Sequence, residues 1–196
     1  TFGGGGHSRE ILSRLGKDGR LFAFDQDPDA QGNRIDDDRF VLIAENFRHI
    51  ARFLKFYRVR KVDGVLADLG VSSHQFDVAE RGFSTRFDAD LDMRMDQKSK
   101  ISAKEIIKTY SEERLADILF LYGELRSARA LAKTIIEARV EQDIETSFQL
   151  KEVLKRHLPK AKEHKILAQI YQAIRIEVNQ ELEVLKEFLN QIPSLL

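Results

Sequence analysis

The chain has 196 residues, of which 42% are hydrophobic and 33% are charged, a composition that excludes an intrinsically disordered protein. It contains no cysteine, which excludes a disulfide framework, a thiolate metal site and a cysteine nucleophile within these residues. Basic and acidic residues number 32 each, so any attraction to nucleic acid must come from a local patch.

Residues 1–100 show short apolar runs that alternate with helical patterns. The runs Leu21–Asp25, Phe40–Ala44 and Val62–Leu69 are bounded by turn or charged residues, as in strands that are covered on both faces. Helices are predicted over roughly Ser8–Leu15, Pro28–Ile35 and Phe47–Tyr57. This alternation predicts an α/β fold with a parallel, doubly wound sheet.

After Asp96 the strand patterns give way to helices. Capping residues mark four helix starts, namely Ser102 with Glu105, Ser111, Ser127, and Thr146 with Gln149. Pro159 is expected to end the fourth of these helices. Apolar residues at spacings of three and four predict one continuous last helix with a stripe from Ile170 to Ile192.

These patterns predict three parts. Residues 1–100 form the α/β core, residues 101–168 form an all-helical insert suited to RNA recognition, and residues 169–196 form a helix that returns to the core. Three strands are too few for a finished doubly wound sheet, and the chain begins on a glycine loop. We therefore expect an incomplete parallel sheet whose flanking strands are absent from this sequence.

Four glycines, Gly3 to Gly6, precede His7 and the first predicted helix. Glycines allow backbone N–H groups to approach a ligand closely. Asp25 ends the next predicted strand 18 residues after His7, where an acidic side chain can grip a ribose diol. Ser8 and Arg9 stand where the dinucleotide fingerprint would have its third glycine, which leaves a smaller adenosyl ligand open. A flexible tether and a strand-end turn are the alternatives for these two features.

Asp25, Asp27 and Asp29 also resemble the start of a calcium loop. Ala30 stands at the sixth position, where the sharp turn of such a loop requires glycine. No metal site is therefore predicted.

Two more candidate segments follow predicted strands. Phe47 follows the second strand, where it either stacks on a purine ring or begins the core face of a helix. Asp68 follows the third strand, so its carboxylate should emerge at the sheet edge where open α/β folds bind ligands. His74 is expected to be a surface loop residue. The long polar loop from Arg81 to Asp96 is expected to be ordered and to cover a site.

The segment Lys151–Lys165 is rich in cations. It holds six Lys or Arg side chains against Glu152 and Glu163, and two histidines, His157 and His164, lie among them. This pattern fits contact with RNA phosphates and also fits a solvated helix face.

Four segments together resemble the RsmH (MraW) family, which methylates the N4 amino group of a cytidine in 16S ribosomal RNA. They are Thr1–Ser8, Asp25–Pro28 with the preceding strand, Asp68–Asp96 and Gln172–Leu182. The resemblance implies a Rossmann-like methyltransferase core with an inserted helical domain, and S-adenosyl-L-methionine as cofactor. Its implied partner is 16S rRNA or the small ribosomal subunit, with a homodimer as a further candidate.

The resemblance also implies site residues. The cofactor-binding residues are Gly5, Gly6, His7, Asp25, Phe47, Asp68 and Gln75. Asp68 is the expected catalytic residue, at the junction of the cofactor and the target amine. The chain departs from the family at His74, where a proline is usual, and at Lys165–Leu167, where a Pro-Ala-x-Arg stretch is common.

Methylation at N4 needs no covalent adduct with the enzyme, whereas methylation at C5 of cytosine needs the cysteine nucleophile that these residues lack. Two other classes are left open, a nicotinamide-dependent oxidoreductase and a non-enzymatic RNA-binding fragment.

No apolar run reaches the roughly 20 residues that cross a bilayer. No membrane contact is therefore expected, and the absence of cysteine makes a reducing cytoplasm the expected location.

Overall fold

A computed structural model describes all residues from 1 to 196. The chain divides into two compact units. Unit 1 comprises residues 1–74, 95–97 and 181–196, and unit 2 comprises residues 75–94 and 98–180. This division differs from the predicted limits at residues 100 and 168, because residues 75–94 pack with the helices and the end of the chain packs with the sheet.

Unit 1 is built around a small parallel sheet. Its elements are α1 (Gly6–Arg14), β1 (Leu21–Phe24), β2 (Phe40–Ile43), α2 (Ile50–Phe56) and, at the end of the chain, α9 (Glu181–Leu195). Strands β1 and β2 pair in parallel, with Leu21 opposite Phe40 and Phe24 opposite Ile43. The predicted helix after β1 is a 3-10 helix, Pro28–Asn33, and no α-helix follows it. After β2, a 3-10 turn over Phe47–His49 leads into α2.

Both faces of the sheet are covered, as the continuous apolar runs indicated. Phe24 and Ile43 pack on one face with buried side chains of α2 and α9, among them Leu54 and Phe188. On the other face, Phe40 packs with three buried residues, Phe2, Leu12 and Ala30. Alternate residues of each strand therefore serve opposite cores, which is the arrangement of a doubly wound α/β fold.

The prediction of a third strand over Val62–Leu69 is wrong in this structure. The segment forms no ladder, and Leu66 is 61% exposed. Its first residue is tied to α9, because the Val62 N–H donates to the Leu195 carbonyl at 2.9 Å. A cavity separates the segment from β1. Because no neighbouring strand offers its backbone groups, the apolar run does not form a β-strand.

Unit 2 is helical. Its long elements are α4 (Ala103–Thr109), α5 (Glu112–Leu121), α6 (Ala128–Glu141), α7 (Ser147–Leu154) and α8 (Glu163–Val178), and the short α3 (Ser73–Asp77) spans the boundary between the units. None of the chain's helices is long and apolar enough to cross a membrane.

The predicted caps are confirmed at three of four positions. The Ser102 and Ser111 hydroxyls accept from the third backbone N–H of their helices, and Thr146 forms a reciprocal capping box with Gln149. At Ser102 the expected return bond from its N–H to the Glu105 side chain is not formed. Ser127 is the N-cap residue of α6 but makes no side-chain cap bond. Its ψ of 15° departs from the extended conformation that directs a cap hydroxyl at the first turn.

The prediction of one continuous last helix is also wrong. Helix α8 ends at Val178 and α9 begins at Glu181, with Gln180 at a φ of +50° between them. Asn179 supports the break, because its side-chain amide donates to the Met93 carbonyl at 2.8 Å. The apolar spacing continues across the break, so it carried no sign of the interruption.

The polar loop from Arg81 to Asp96 packs into unit 2 as far as Arg94. Leu91 and Met93 are fully buried in unit 2. The Leu91 N–H donates to the Glu145 carbonyl at 2.8 Å, and the Met93 N–H donates to the Arg81 carbonyl at 3.0 Å. Gly82 turns the chain at a φ of +69°. The loop therefore contributes to the core of the helical unit.

Candidate functional site

The glycine loop of unit 1 is a tight turn between the core and α1. Gly3 and Gly5 have positive φ values of +52° and +77°, a conformation that favours glycine. A side chain at Gly5 would meet the Phe2 ring at 3.0 Å, whereas Gly4 and Gly6 have open space around them. The backbone of the loop therefore packs closely on the core at Gly5 and is exposed at Gly4 and Gly6.

Asp25 holds this loop from β1. One carboxylate oxygen accepts from the Gly3 N–H at 2.8 Å and the other accepts from the Asp27 N–H at 2.9 Å. The side chain is buried, and the residue is 8% exposed. A carboxylate offers about four acceptor positions. Two backbone bonds therefore fix its orientation and leave capacity for further donors.

Two side chains that the sequence did not single out support the loop from outside. The Arg9 guanidinium donates to the Gly4 carbonyl at 2.7 Å, and the Asn33 amide donates to the Gly3 carbonyl at 3.2 Å. Arg9 lies within α1, and Asn33 is the last residue of the 3-10 helix Pro28–Asn33. Neither pattern predicts a contact with glycines that lie 5 and 30 residues away.

The loop leads directly into α1. Gly5 is its N-cap residue and provides no side-chain cap bond. The first N–H groups of a helix lack partners within that helix, and the helix dipole makes this end positive. The start of α1 therefore offers donors to a polar or anionic ligand group.

Asp68 lies next to the same loop. Its carboxylate oxygen is 3.3 Å from Nδ1 of His7, and the two side chains are 64% and 67% exposed. The Thr1 hydroxyl also donates to the Asp68 carbonyl at 3.1 Å. Thr1, His7 and Asp68 therefore connect the end of the 62–69 segment to the start of α1.

Phe47 packs in the core of unit 1 while remaining half-buried. Its ring meets the Phe188 ring edge-to-face, with centroids 5.2 Å apart. The preceding Asn46 caps the 3-10 turn by accepting from the Arg48 N–H at 2.9 Å. Of the two roles that the sequence left open, the core role is visible here, and the purine contact stays a prediction.

The last predicted cofactor residue, Gln75, is 5% exposed and belongs to unit 2. Its neighbour His74 lies on the surface of unit 1, as expected, with Nε2 3.3 Å from a carboxylate oxygen of Asp29. Asp27 in turn accepts from the Asp29 N–H at 3.1 Å. No group of three or more His, Asp or Glu side chains in the chain is arranged to hold a metal ion.

A cavity of about 680 Å³ lies within unit 1, between β1 and the 62–69 segment. Three predicted site residues, His7, Phe47 and Asp68, line it, and most of the remaining lining is apolar. Gly5, Gly6 and Asp25 do not line it. The polar candidate site therefore lies beside this cavity, which itself is mainly an apolar space along β1.

Comparison with known proteins identifies relatives along the whole chain. The model of the MraW methylase family matches residues 1–196. A protein of Flavobacterium johnsoniae named Ribosomal RNA small subunit methyltransferase H is 64% identical over 191 residues, which are 97% of this chain and 63% of that protein.

Two further relatives carry the same name. The protein of Christiangramia forsetii is 64% identical over 196 residues, covering 100% of this chain and 65% of its own length. The protein of Bacteroides fragilis is 56% identical over 189 residues, covering 96% of this chain and 62% of its own length. The chain thus spans somewhat less than two thirds of these curated relatives.

Proposed function

The chain belongs to the MraW methylase family, and we propose that it forms the cofactor-binding part of an enzyme that methylates N4 of a cytidine in 16S ribosomal RNA. The methyl donor is S-adenosyl-L-methionine. The name that the relatives share, Ribosomal RNA small subunit methyltransferase H, supports an RNA substrate. The activity is proposed for the whole protein, of which these residues are the part described.

One observation carries the proposal. The glycine loop is held between two carboxylates, by the Gly3–Asp25 hydrogen bond on one side and the contact of His7 with Asp68 on the other. Backbone donors and carboxylate acceptors thereby meet at one edge of unit 1. An adenosyl amino acid has hydroxyl and ammonium donors for carboxylates and a carboxylate acceptor for backbone N–H groups.

The residues of this edge fit such a ligand. Gly4 and Gly6 have no atom within 4 Å of where a side chain would start, so a ligand can lie against their backbone. Asp25 keeps acceptor capacity for ribose hydroxyls, and the exposed Asp68 carboxylate is available at the other end of the loop. We assign cofactor binding to Gly5, Gly6, His7, Asp25, Phe47 and Asp68 of unit 1. The role of Gln75 stays a prediction from the resemblance.

The bound cofactor supplies an electrophilic methyl group on a sulfonium. The exocyclic amine of cytidine is a weak nucleophile because its lone pair is delocalised into the ring, so the protein must align it and accept its hydrogens. We assign the acceptor role to the Asp68 carboxylate, which is oriented by His7. The cytidine must also leave its stack, at a cost of a few kcal/mol, which contacts of unit 2 with the RNA backbone would offset.

Methyl transfer to RNA tests this function. The full-length protein is incubated with 16S rRNA and methyl-labelled S-adenosyl-L-methionine, and the nucleosides are identified by mass spectrometry. We expect label in N4-methylcytidine, with a loss of at least 100-fold in rate for Asp68→Asn, on the scale of general acid–base contributions. Asp63→Asn, an exposed acidic residue of the same segment, is the matched control.

Three results would contradict the proposal. They are label at C5 of cytosine, equal rates for Asp68→Asn and Asp63→Asn, and binding of NADH in place of S-adenosyl-L-methionine in a calorimetric titration. The last result would favour the oxidoreductase alternative.

A further inference from the structure

We propose that unit 2 carries a cationic face that binds the phosphate backbone of RNA without reading its sequence. The face consists of the turn at residues 159–165, the 3-10 turn Lys155–His157 and residues 126–137, which include the start of α6. RNA is named as the occupant because of the proposed function. The ion pairs of unit 2 show which cations of this face are paired with a carboxylate and which are not.

Ion pairs divide the cations of the Lys151–Lys165 segment into two sets. Lys151 contacts Glu163 at 2.7 Å, Lys155 contacts Glu152 at 2.9 Å, and Arg156 contacts Glu137 at 3.2 Å. The cations that are exposed and make no ion pair are Lys160, Lys162 and Lys165. Only the second set is free to neutralise phosphates without first losing a carboxylate partner.

Residues 126–137, at the start of α6, continue this face. Arg129, Lys133 and Glu137 are spaced four residues apart, so they form one stripe on the helix. The Arg156 guanidinium reaches the stripe, because it donates to the Thr134 hydroxyl and contacts Glu137. The 3-10 turn therefore lies against α6, and Arg126 and Arg129 add two more cations without ion pairs.

The charge and composition of the face indicate which kind of molecule it binds. Residues 126–137 and 151–165 contain nine Lys or Arg side chains and three carboxylates, in a chain whose net charge is zero. All three carboxylates are in ion pairs. Neither range contains a Phe, Tyr or Trp. The rings of this face are the imidazole of His157, which contacts the Thr134 hydroxyl, and the exposed imidazole of His164, so cations outnumber rings by nine to two. A polyanion held through its phosphates fits this excess of cations, and phosphate contacts carry no sequence information.

The test compares two triple variants of the full-length protein. Lys160, Lys162 and Lys165 are changed to Gln in the first. The control changes Lys104, Lys108 and Lys186 to Gln, three lysines that each contact a carboxylate. Both variants lose the same formal charge. Binding to a 16S rRNA transcript and to an unrelated RNA of the same length is measured by fluorescence anisotropy between 50 and 300 mM salt.

We expect the first variant to bind both RNAs about 10- to 100-fold more weakly near 0.1 M salt. The slope of log K against log salt should become less steep by about 2, since each lost phosphate contact contributes roughly 0.7 to 0.9. The control should stay within about twofold of the unchanged protein. An unchanged slope, or a loss for only one of the RNAs, would overturn the proposal.

A third outcome would point to another partner. Loss of binding to the small ribosomal subunit with unchanged binding to free RNA would indicate an acidic protein surface, and would also overturn the proposal. Cofactor affinity is measured on the same samples. If the unchanged protein binds RNA through this face but fails to bind S-adenosyl-L-methionine, the proposed function fails while the cationic face stands.

Discussion

The backbone N–H of Gly3 donates to the Asp25 carboxylate at 2.8 Å across 22 residues of sequence. This bond joins the glycine loop to the end of β1. Because the same carboxylate also accepts from Asp27, one buried side chain orders two segments of the candidate site.

Changing Asp25 to Ala should weaken cofactor binding by roughly 10- to 150-fold, because charge-assisted hydrogen bonds of about 1.5–3 kcal/mol are lost. Isothermal titration of S-adenosyl-L-methionine measures the change. Asp38→Ala, at an exposed acidic position, is the control. Equal affinities for the two variants would show that Asp25 only supports the loop or has no part in binding.

Gly5→Ala should destabilise the protein by about 1–2 kcal/mol, since φ at this position is +77° and a side chain would press on the Phe2 ring. In thermal unfolding this corresponds to a fall in Tm of about 2–8 °C. Gly4→Ala is the matched variant, because Gly4 has open space around it and should tolerate a methyl group. A Tm for Gly5→Ala that equals the Tm of Gly4→Ala would refute the close approach.

Gln180→Gly should stabilise the protein by up to about 1 kcal/mol, because Gln180 occupies a left-handed conformation between α8 and α9. Urea unfolding measures the gain. Ala168→Gly, inside α8, should instead destabilise the protein by about 1 kcal/mol. If both substitutions lower stability equally, the helix is continuous at Gln180.

Tyr110 gives unit 2 a pH-dependent contact. Burial, and then the 2.7 Å hydrogen bond from its hydroxyl to Glu177 and the charge of that carboxylate, raise the pKa of Tyr110 to about 12 from an ordinary value of 10. The raised pKa stabilises the fold fully below pH 10, and this stabilisation is lost as pH rises towards 12.

Tyr110→Phe should therefore lower stability by about 1 kcal/mol at pH 8, and the difference from the unchanged protein should shrink by pH 11. Urea unfolding at the two pH values checks this. Tyr57→Phe serves as the control, since Tyr57 belongs to unit 1 and its ring packs against Phe22. A difference that is independent of pH would contradict the assignment.

The sequence predicted the elements whose signals are local. The helix starts at Ser102, Ser111 and Thr146 follow from cap chemistry, and β1 and β2 follow from short apolar runs. The 62–69 segment has an equally strong apolar run, but strand formation depends on a partner that no local pattern reports. The break at Gln180 was hidden for a similar reason, because the apolar stripe runs through it.

The candidate site was predictable in its residue types and less so in its contacts. Glycines before a helix and an acidic residue after a strand indicated the loop and Asp25. The hydrogen bond from the Gly3 N–H to the Asp25 carboxylate depends on the fold, so no local motif predicts it. The supports from Arg9 and Asn33 are of the same kind, since they join positions that no motif connects.

The most direct test is a crystal structure of the protein with S-adenosylhomocysteine, the product form of the cofactor. We expect the ribose hydroxyls within hydrogen-bond distance of Asp25, the backbone of Gly5 and Gly6 against the ligand, and its sulfur near Asp68. A ligand bound elsewhere, or bound with Asp25 and Asp68 turned away from it, would contradict the central claim.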